Sequence, residues 1–310
     1  MSVKKVLAIV GPTAIGKTSL SIKLANQIPA EIISGDSIQV YKGMDIGTGK
    51  ITEEEMNGIP HHMLDIKNPD ESFSVAQFKE LVQKHIANIS GRNKLPIIVG
   101  GTGLYIQSVL YDYDFSERKR NTKLTKQLEK IVLEKGVMTL YEQLQKIDPD
   151  QANKIHPNNY RRVIRALEIY ETTGLTMSEY HEQQQTEPLY DYLIIGLDIE
   201  RSILYERINN RVDEMIKLGL VDEVKRLYDL GFEQEQSMKA IGYKELIPYI
   251  KGEESLEDSI QLLKRNTRRY AKRQFTWFKN KMNVEWFDIT NEHKSVFNRI
   301  EKRVGTFFSA

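Results

Sequence analysis

The first hundred residues alternate between short apolar runs and longer stretches in which apolar residues recur at helical spacing. The apolar runs cover residues 6–10, 30–34 and 95–99, and a glycine follows each of them. Ahead of the third run, Ser74-x-x-Gln77 is a capping box that predicts the start of an amphipathic helix. Continuous apolar strands that alternate with helices predict an α/β fold, a parallel sheet flanked by helices on both faces.

The pattern changes between about residues 116 and 187, where the chain is rich in Lys, Glu and Gln and shows helical periodicity without a strand signal. An apolar run at 190–197 then resumes the strand pattern. Residues 284–289 predict a last edge strand before a terminal helix. The predicted organisation is a core of residues 1–115 and 188–310, with residues 116–187 as an inserted all-helical lobe.

A phosphate-binding loop is predicted directly after the first apolar run. Residues 11–18 read GPTAIGKT, which fits G-x-x-x-x-G-K-[ST] between a predicted strand and a predicted helix. Backbone N–H groups and the helix N-terminus would hold an anion there. Lys17 would bring an ammonium to the terminal phosphate, and the Thr18 hydroxyl could hold Mg²⁺. By motif, the loop predicts a P-loop NTPase-like core and nucleotide binding, ATP included.

Composition narrows the possible chemistry. The 310 residues include no cysteine, which excludes disulfides, thiolate zinc sites and a cysteine nucleophile, and we expect any metal to be bound through oxygen. The first apolar run is too short for a signal peptide or a membrane span, and we expect a cytoplasmic protein without membrane contact. The 44 Lys and Arg residues nearly balance the 43 Asp and Glu residues, so affinity for nucleic acid would depend on local patches.

Two such basic patches are present. Residues 259–284 contain no acidic residue, while lysines and arginines recur among aromatic residues. Arg161, Arg162 and Arg165 cluster near a predicted helix start. Cationic side chains contact phosphates whatever the sequence, and aromatic residues between them can stack on bases. The alternative is an amphipathic helix with a solvated basic face.

Asp36 is the leading candidate for a reacting group, because it follows a strand end, where a parallel sheet presents side chains to a ligand. It could order a metal or act as a base. It could also simply cap the next segment. Asp45 and Asp65 are less favoured candidates.

Two further motifs give weaker signals. His61 and His62 are adjacent, so in a strand they would point to opposite faces, and structural histidines are the favoured interpretation. Thr102 lies in a glycine-rich turn, where its hydroxyl could contact phosphate or a base.

Eight segments in order make a resemblance specific. The chain resembles the tRNA dimethylallyltransferase (isopentenyltransferase) family, in its bacterial form without a cysteine-bearing C-terminal finger. The segments that carry the resemblance are GPTAIGKT (11–18), DSIQVYKGMDIGTGK (36–50), PHHMLDI (60–66), VGGTGLY (99–105), NNYRRVIRALEIY (158–170), RVDEMIKLGLVDEV (211–224), AIGYKE (240–245) and NTRRYAKRQFTWFK (266–279).

The resemblance implies transfer of a dimethylallyl group from dimethylallyl diphosphate to N6 of the adenine 3′-adjacent to the tRNA anticodon, with release of diphosphate. It implies a catalytic role for Asp36, Lys17, Thr18 and Arg211, with Asp36 deprotonating N6 and Thr18 holding Mg²⁺. The implied contacts to diphosphate are Gly11, Pro12, Thr13, Ala14, Ile15, Gly16, Lys17, Thr18 and Arg211.

The implied tRNA contacts combine a core segment, a turn and the helical lobe. They are Asp36, Ser37, Ile38, Gln39, Thr102, Arg161, Arg162, Val163, Ile164 and Arg165. The chain departs from the commonest family pattern at Ile38, where the family often has Arg, and at Ile15, where it often has Ser. Ile38 cannot donate a side-chain hydrogen bond to RNA.

Two other functions share parts of this pattern. A small-molecule or nucleotide kinase would have the same phosphate loop but would need a nucleoside triphosphate. A non-catalytic RNA-binding protein would use only the basic patches. The expected partners are the tRNA anticodon stem-loop and dimethylallyl diphosphate, and a monomer is expected.

Overall fold

The computed structural model describes residues 3–111, 113, 121–183, 187–291 and 294–309. The chain divides into two compact units, one of Met1–Tyr111 with Pro188–Ala310 and the other of Asp112–Glu187. Residues 115 and 116, where the sequence placed the first boundary, lie outside the described residues.

The first unit is built on one parallel sheet. Within the described residues it has six strands in the order β3-β2-β4-β1-β5-β6, and every pair is parallel. The strands are β1 Lys5–Val10, β2 Ala30–Ser34, β3 His61–His62, β4 Leu95–Gly100, β5 Asp191–Asp198 and β6 Glu285–Asp288. The predicted strands are confirmed to within a residue or two, and β6 lies at the sheet edge as predicted.

Helices cover both faces of this sheet. Those of the first unit are α1 Lys17–Ala25, α2 Glu53–Met56, α3 Val75–Ser90, α4 Gly103–Leu110, α10 Arg201–Lys217, α11 Leu220–Asp229, α12 Ile247–Ile250, α13 Leu256–Lys281 and α14 Lys294–Ser309. Ser74 caps α3 through the predicted capping box with Gln77. The predicted fold class, a P-loop NTPase-like parallel sheet with an all-helical insertion, is confirmed.

Side-chain alternation along the strands explains why both faces are covered. In β1, Val6, Ala8 and Val10 belong to one apolar cluster, and Leu7 and Ile9 belong to another. All five are fully buried. A continuous apolar run is therefore what a strand needs when each face packs against helices, and each large side chain contributes about 1.5–3 kcal/mol by leaving water.

The second unit contains α5 Thr122–Lys135, α6 Val137–Ile147, α7 Pro149–Lys154, α8 Tyr160–Thr173 and α9 Met177–Glu182. Its own apolar core includes Leu140, Leu144, Val163 and Leu167. Across the described residues of both units, no helix is both long enough and apolar enough to traverse a bilayer.

Candidate active site

The predicted phosphate loop joins β1 to α1. Gly16 precedes the first residue of α1 with φ of 97°, a left-handed conformation that glycine adopts without strain. Lys17 and Thr18 therefore lie in the first turn of α1, where free backbone N–H groups and the helix dipole favour an anion. The Thr18 side chain is exposed at this point.

Lys17 lies near a second cation and a carboxylate. Its Nζ donates a hydrogen bond of 2.7 Å to the Pro12 carbonyl. Burial, and next the positive charge of Arg211, lower the pKa of Lys17 to about 7, while the negative charge of Asp36 acts in the opposite direction. The structure thus brings together three residues that are far apart in the sequence.

Arg211 extends from α10 and rests on Gly49. Its guanidinium lies so close that a Cβ on Gly49 would be 1.7 Å from a guanidinium nitrogen, so a side chain at this position would displace the guanidinium. Burial lowers the pKa of Arg211, and the Asp36 carboxylate is the first of the groups that raise it. Arg211 and Asp36 therefore interact electrostatically at the same site as Lys17.

Asp36 begins a tight turn after β2. Its Oδ1 accepts hydrogen bonds from the backbone N–H of Ile38 at 2.8 Å and of Gln39 at 3.4 Å. This is the capping role that the sequence left open. Both bonds end on Oδ1, so capping and chemistry at Oδ2 are compatible.

Gln39 ties the Asp36 turn to the loop that carries Gly49. The Ser34 hydroxyl donates to Gln39 Oε1 at 2.8 Å. Gln39 Nε2 in turn lies 3.3 Å from the Thr48 carbonyl oxygen and 3.4 Å from that of Gly49. The side chain of Gln39, a predicted tRNA contact, is thus engaged within the protein.

Glu223 of α11 holds residues 45–47 of the loop that carries Gly49. Only 8% of the residue is exposed. Its carboxylate accepts hydrogen bonds of 2.9 Å, 2.9 Å and 3.0 Å from the backbone N–H groups of residues 45, 46 and 47. The Tyr243 hydroxyl donates to it as well, at 2.6 Å. Burial and the Glu223 charge raise the pKa of Tyr243.

The turn after β4 contacts both the segment that follows β2 and, through Gln274, the phosphate loop. Gly35 and Gly100 touch, since a Cβ on Gly100 would lie 2.5 Å from the Gly35 carbonyl oxygen. Gln274 of α13 links this turn to the phosphate loop through Gly101 and Thr13. Thr102 is the residue before α4, and its side chain makes no capping hydrogen bond. The phosphate loop, the Asp36 turn and the 100–103 turn therefore lie together, as the sheet topology predicts.

The predicted RNA contacts of the helical unit fall into three groups. Arg161 and Arg162 are exposed on α8. Val163 and Ile164 are 0% and 3% exposed and belong to the core of their unit, which leaves their side chains unavailable to a ligand. Arg165 forms an ion pair of 2.8 Å with the buried Glu168.

Part of the positive charge of the long basic helix α13 is paired with other residues of the protein. Lys264 pairs with Asp213, Lys279 pairs with Asp198, and Arg268 donates to Asn209. The exposed cations on this helix are Arg265, Arg269, Lys272, Arg273, Lys279 and Lys281. The solvated basic face is therefore smaller than the composition of residues 259–284 indicates.

The less favoured candidates have structural partners. Lys50 Nζ lies 2.6 Å from a carboxylate oxygen of both Asp45 and Asp65. His61 Nδ1 lies 2.8 Å from the Ile59 carbonyl oxygen, and His62 Nε2 lies 2.8 Å from Glu31. Both histidines have hydrogen-bond partners within the protein, as the interpretation of structural residues requires.

A divalent metal would need ligands beyond the protein. No group of three or more His, Cys, Asp or Glu side chains that could hold one occurs within the described residues. The exposed Thr18 hydroxyl offers one hard oxygen beside the phosphate loop. This donor set fits an ion that takes its remaining ligands from substrate phosphates and water, as Mg²⁺ commonly does.

Sequence reasoning missed Glu223 and Gln274. Both residues leave a signal in the sequence. Glu223 lies on the apolar face of α11 with Leu220 and Val224 at helical spacing. Gln274 shares the buried face of α13 with Ala271 and Phe278 at helical spacing. A glutamine on an apolar helix face needs hydrogen-bond partners, which predicts a buried bridging role.

Comparisons with known proteins show which family the chain belongs to. The family model described as IPP transferase matches residues 39–281. A tRNA dimethylallyltransferase of Oceanobacillus iheyensis is 59% identical to this chain over 284 residues, which cover 92% of this chain and 91% of that protein.

Solved structures give the same result. The full-length tRNA isopentenylpyrophosphate transferase of Bacillus halodurans is 50% identical with a TM-score of 0.75, covering 99% of this chain and 97% of that one. A eukaryotic dimethylallyltransferase acting on tRNA is 35% identical with a TM-score of 0.83, covering 97% of this chain and 78% of that one. The chain therefore belongs to the IPP transferase family, the family of the tRNA dimethylallyltransferases.

Proposed function

We propose that this protein transfers a dimethylallyl group from dimethylallyl diphosphate to N6 of the adenine 3′-adjacent to the anticodon of tRNA, releasing diphosphate. The observation that carries the proposal is the electrostatic grouping of Lys17, Arg211 and Asp36 at the phosphate loop. The two cations can stabilise the departing diphosphate, and the carboxylate can accept a proton. The activities for which the relatives are named point to the same reaction.

The phosphate loop binds the leaving group in this proposal. As the allylic C–O bond breaks, negative charge develops on diphosphate, and preorganised donors lower the barrier by stabilising it. Residues 11–18 supply backbone N–H groups and the Lys17 ammonium, and Arg211 supplies a guanidinium. Thr13 contributes a further contact to diphosphate.

Magnesium fits beside this group. Thr18 would hold the ion, with diphosphate oxygens and water as its other ligands. When bound, Mg²⁺ supplies charge stabilisation to the departing diphosphate.

Asp36 accepts the proton on the acceptor side. The N6–C bond forms, the C–O bond breaks, diphosphate departs and the N6 proton moves to Asp36. A carboxylate is a weak base toward a neutral aromatic amine, so proton removal accompanies or follows C–N bond formation. Because Oδ1 accepts the backbone hydrogen bond from Ile38, Oδ2 is the proton acceptor in this proposal.

To reach Asp36, the target adenine must leave the base stack of the anticodon loop. A loop nucleotide leaves its stack at a cost of a few kcal/mol, less than a paired base would need. Residues 36–39 and Thr102 would hold the extruded base. Arg161, Arg162 and Arg165 contact tRNA phosphates. We further propose that the protein acts as a monomer in the cytoplasm.

One incubation tests the function against its rivals. The protein is mixed with Mg²⁺, dimethylallyl diphosphate, ATP and unmodified tRNA. Conversion of ATP to ADP is measured, and the digested nucleosides are analysed by mass spectrometry. We expect an adenosine that has gained one C5H8 unit. ATP-dependent phosphorylation without prenyl transfer would instead identify a kinase, and tRNA binding without either reaction would identify a non-catalytic binding protein.

A further inference from the structure

Gln274 is a buried side chain that contacts two loops of the site at once. Its Oε1 accepts a hydrogen bond of 3.1 Å from the backbone N–H of Thr13 in the phosphate loop. Its Nε2 donates a hydrogen bond of 3.1 Å to the carbonyl of Gly101 in the turn after β4. The residue is only 5% exposed. One amide therefore joins two segments that are distant from each other in the sequence.

The chemistry of the partners fixes the orientation of this amide. The Thr13 N–H can only donate, and the Gly101 carbonyl can only accept. If the amide were flipped, its NH2 group would face the Thr13 N–H and its oxygen would face the Gly101 carbonyl. Only the observed orientation therefore makes both hydrogen bonds. The fit is also tight, since a Cβ on Gly101 would lie 1.9 Å from Gln274 Nε2. The Gln274 amide thus occupies the space that a side chain at position 101 would fill.

The two loops serve different substrates. Thr13 lies in the loop assigned to diphosphate, and Gly101 immediately precedes Thr102, which is assigned to tRNA. We propose that Gln274 is a positioning residue that couples the diphosphate subsite to the tRNA subsite. This inference rests on the proposed function for the identity of the two ligands.

The coupling has a simple physical origin. Diphosphate bound to residues 11–18 orders the phosphate loop and fixes the direction of the Thr13 N–H. Through Gln274, the Gly101 carbonyl and the following Thr102 are then held in place. tRNA that binds afterwards loses less conformational entropy, and the effect is reciprocal.

Binding of tRNA with and without inorganic diphosphate and Mg²⁺ measures this coupling directly. For the native protein we expect diphosphate to tighten tRNA binding by at least about 5-fold. Gln274→Met has similar volume but makes neither hydrogen bond, and we expect the factor to fall below about 2-fold. Gln261→Met is the matched control, because Gln261 is an exposed residue of the same helix. It should keep the native factor.

A native coupling factor in Gln274→Met, or no coupling in the native protein, would overturn the inference. Neither result depends on prenyl transfer, because product formation by the native protein tests the proposed function separately. The catalytic consequence is a lower kcat/KM for Gln274→Met, by roughly 10- to 100-fold, since small displacements of positioned groups cost that much.

Gln274→Glu supplies a readout that a purely structural role would not move. A protonated carboxyl can accept from Thr13 and donate to Gly101, whereas a carboxylate can only accept. Burial raises the pKa of such a carboxyl toward neutrality. The ratio of variant to native kcat/KM should therefore be highest near about pH 5.5 and fall as the pH rises. A ratio independent of pH would contradict the inference, even if Gln274→Met failed to fold.

Discussion

The Nζ of Lys17 donates a hydrogen bond of 2.7 Å to the backbone carbonyl of Pro12, within its own phosphate loop. The ammonium is thus held at the loop by a neutral acceptor. The positive charge of Arg211 and the loss of water on burial both destabilise the charged form of Lys17. A phosphate anion beside it would offset both effects. A ligand that supplies negative charge stabilises the protonated form of Lys17.

The first prediction concerns pH. Because the pKa of Lys17 is lowered to about 7, the free protein loses this proton above that pH, and diphosphate must then bind together with a proton. Affinity for inorganic diphosphate should fall by up to about tenfold per pH unit above pH 7. Calorimetric titration across this range measures it.

Lys17→Arg is the control for this titration. A guanidinium stays protonated throughout. Protonation of diphosphate itself affects binding to the native protein and to the variant equally. The difference in pH dependence between the two proteins therefore isolates Lys17. Parallel pH profiles would show that the Lys17 proton is not linked to binding.

The second prediction separates the two roles of Asp36. Asp36→Asn keeps an Oδ1 acceptor for the Ile38 N–H but removes the base. We expect turnover to fall by roughly 10²- to 10⁴-fold, with tRNA binding retained, and Asp36→Ala to lose at least as much. Single-turnover kinetics measure the loss. If Asp36→Asn were as active as the native protein and only Asp36→Ala were impaired, Asp36 would be a cap alone.

The third prediction concerns the Glu223 contacts with residues 45–47. Glu223→Gln leaves backbone N–H donors facing an amide that accepts fewer hydrogen bonds, and unsatisfied buried donors are costly. We expect the free energy of unfolding to fall by about 1–3 kcal/mol, measured by denaturant titration.

Asp222→Asn provides the control, because Asp222 is the exposed neighbour on α11. Its free energy of unfolding should stay within about 0.5 kcal/mol of the native value. Equal losses in the two variants would mean that the buried hydrogen bonds of Glu223 contribute nothing specific.

The fourth prediction concerns the exposed arginines of α8. Replacing both Arg161 and Arg162 by Ala should weaken tRNA binding and reduce the slope of log affinity against log salt by about one for each phosphate that is no longer neutralised. Arg165 is left in place because its removal would leave the buried Glu168 without its ion-pair partner. Filter binding across a salt series measures the slope.

Lys130→Ala is the control in the same unit, because Lys130 is exposed and already pairs with Glu134. It should leave the slope unchanged. A native slope in the double arginine variant would place both arginines on a merely solvated face.

The sequence predicted the strands of the sheet well, because a buried strand requires apolar residues close together along the chain. Residues 6–10 are all apolar, residues 30–34 contain three apolar residues, and both segments form buried strands. The capping box at Ser74 likewise depends only on neighbours three residues apart. Such signals need no knowledge of the rest of the chain.

Long-range contacts could not be predicted in the same way. Glu31 is a charged residue inside a buried strand, and it is tolerated because Arg92 and Lys94 bind it at 2.8 Å and 2.9 Å. Glu223 and Gln274 satisfy backbone groups in segments far from them along the chain. The roles assigned to individual site residues remain predictions for the same reason, since they depend on where a ligand lies.

A crystal structure of the protein with dimethylallyl diphosphate and Mg²⁺ is the most direct test of the proposed mechanism. We predict that the diphosphate lies against residues 11–18, within hydrogen-bond distance of Lys17 and Arg211, with the allylic carbon directed toward Asp36. A diphosphate bound away from this loop would contradict the mechanism.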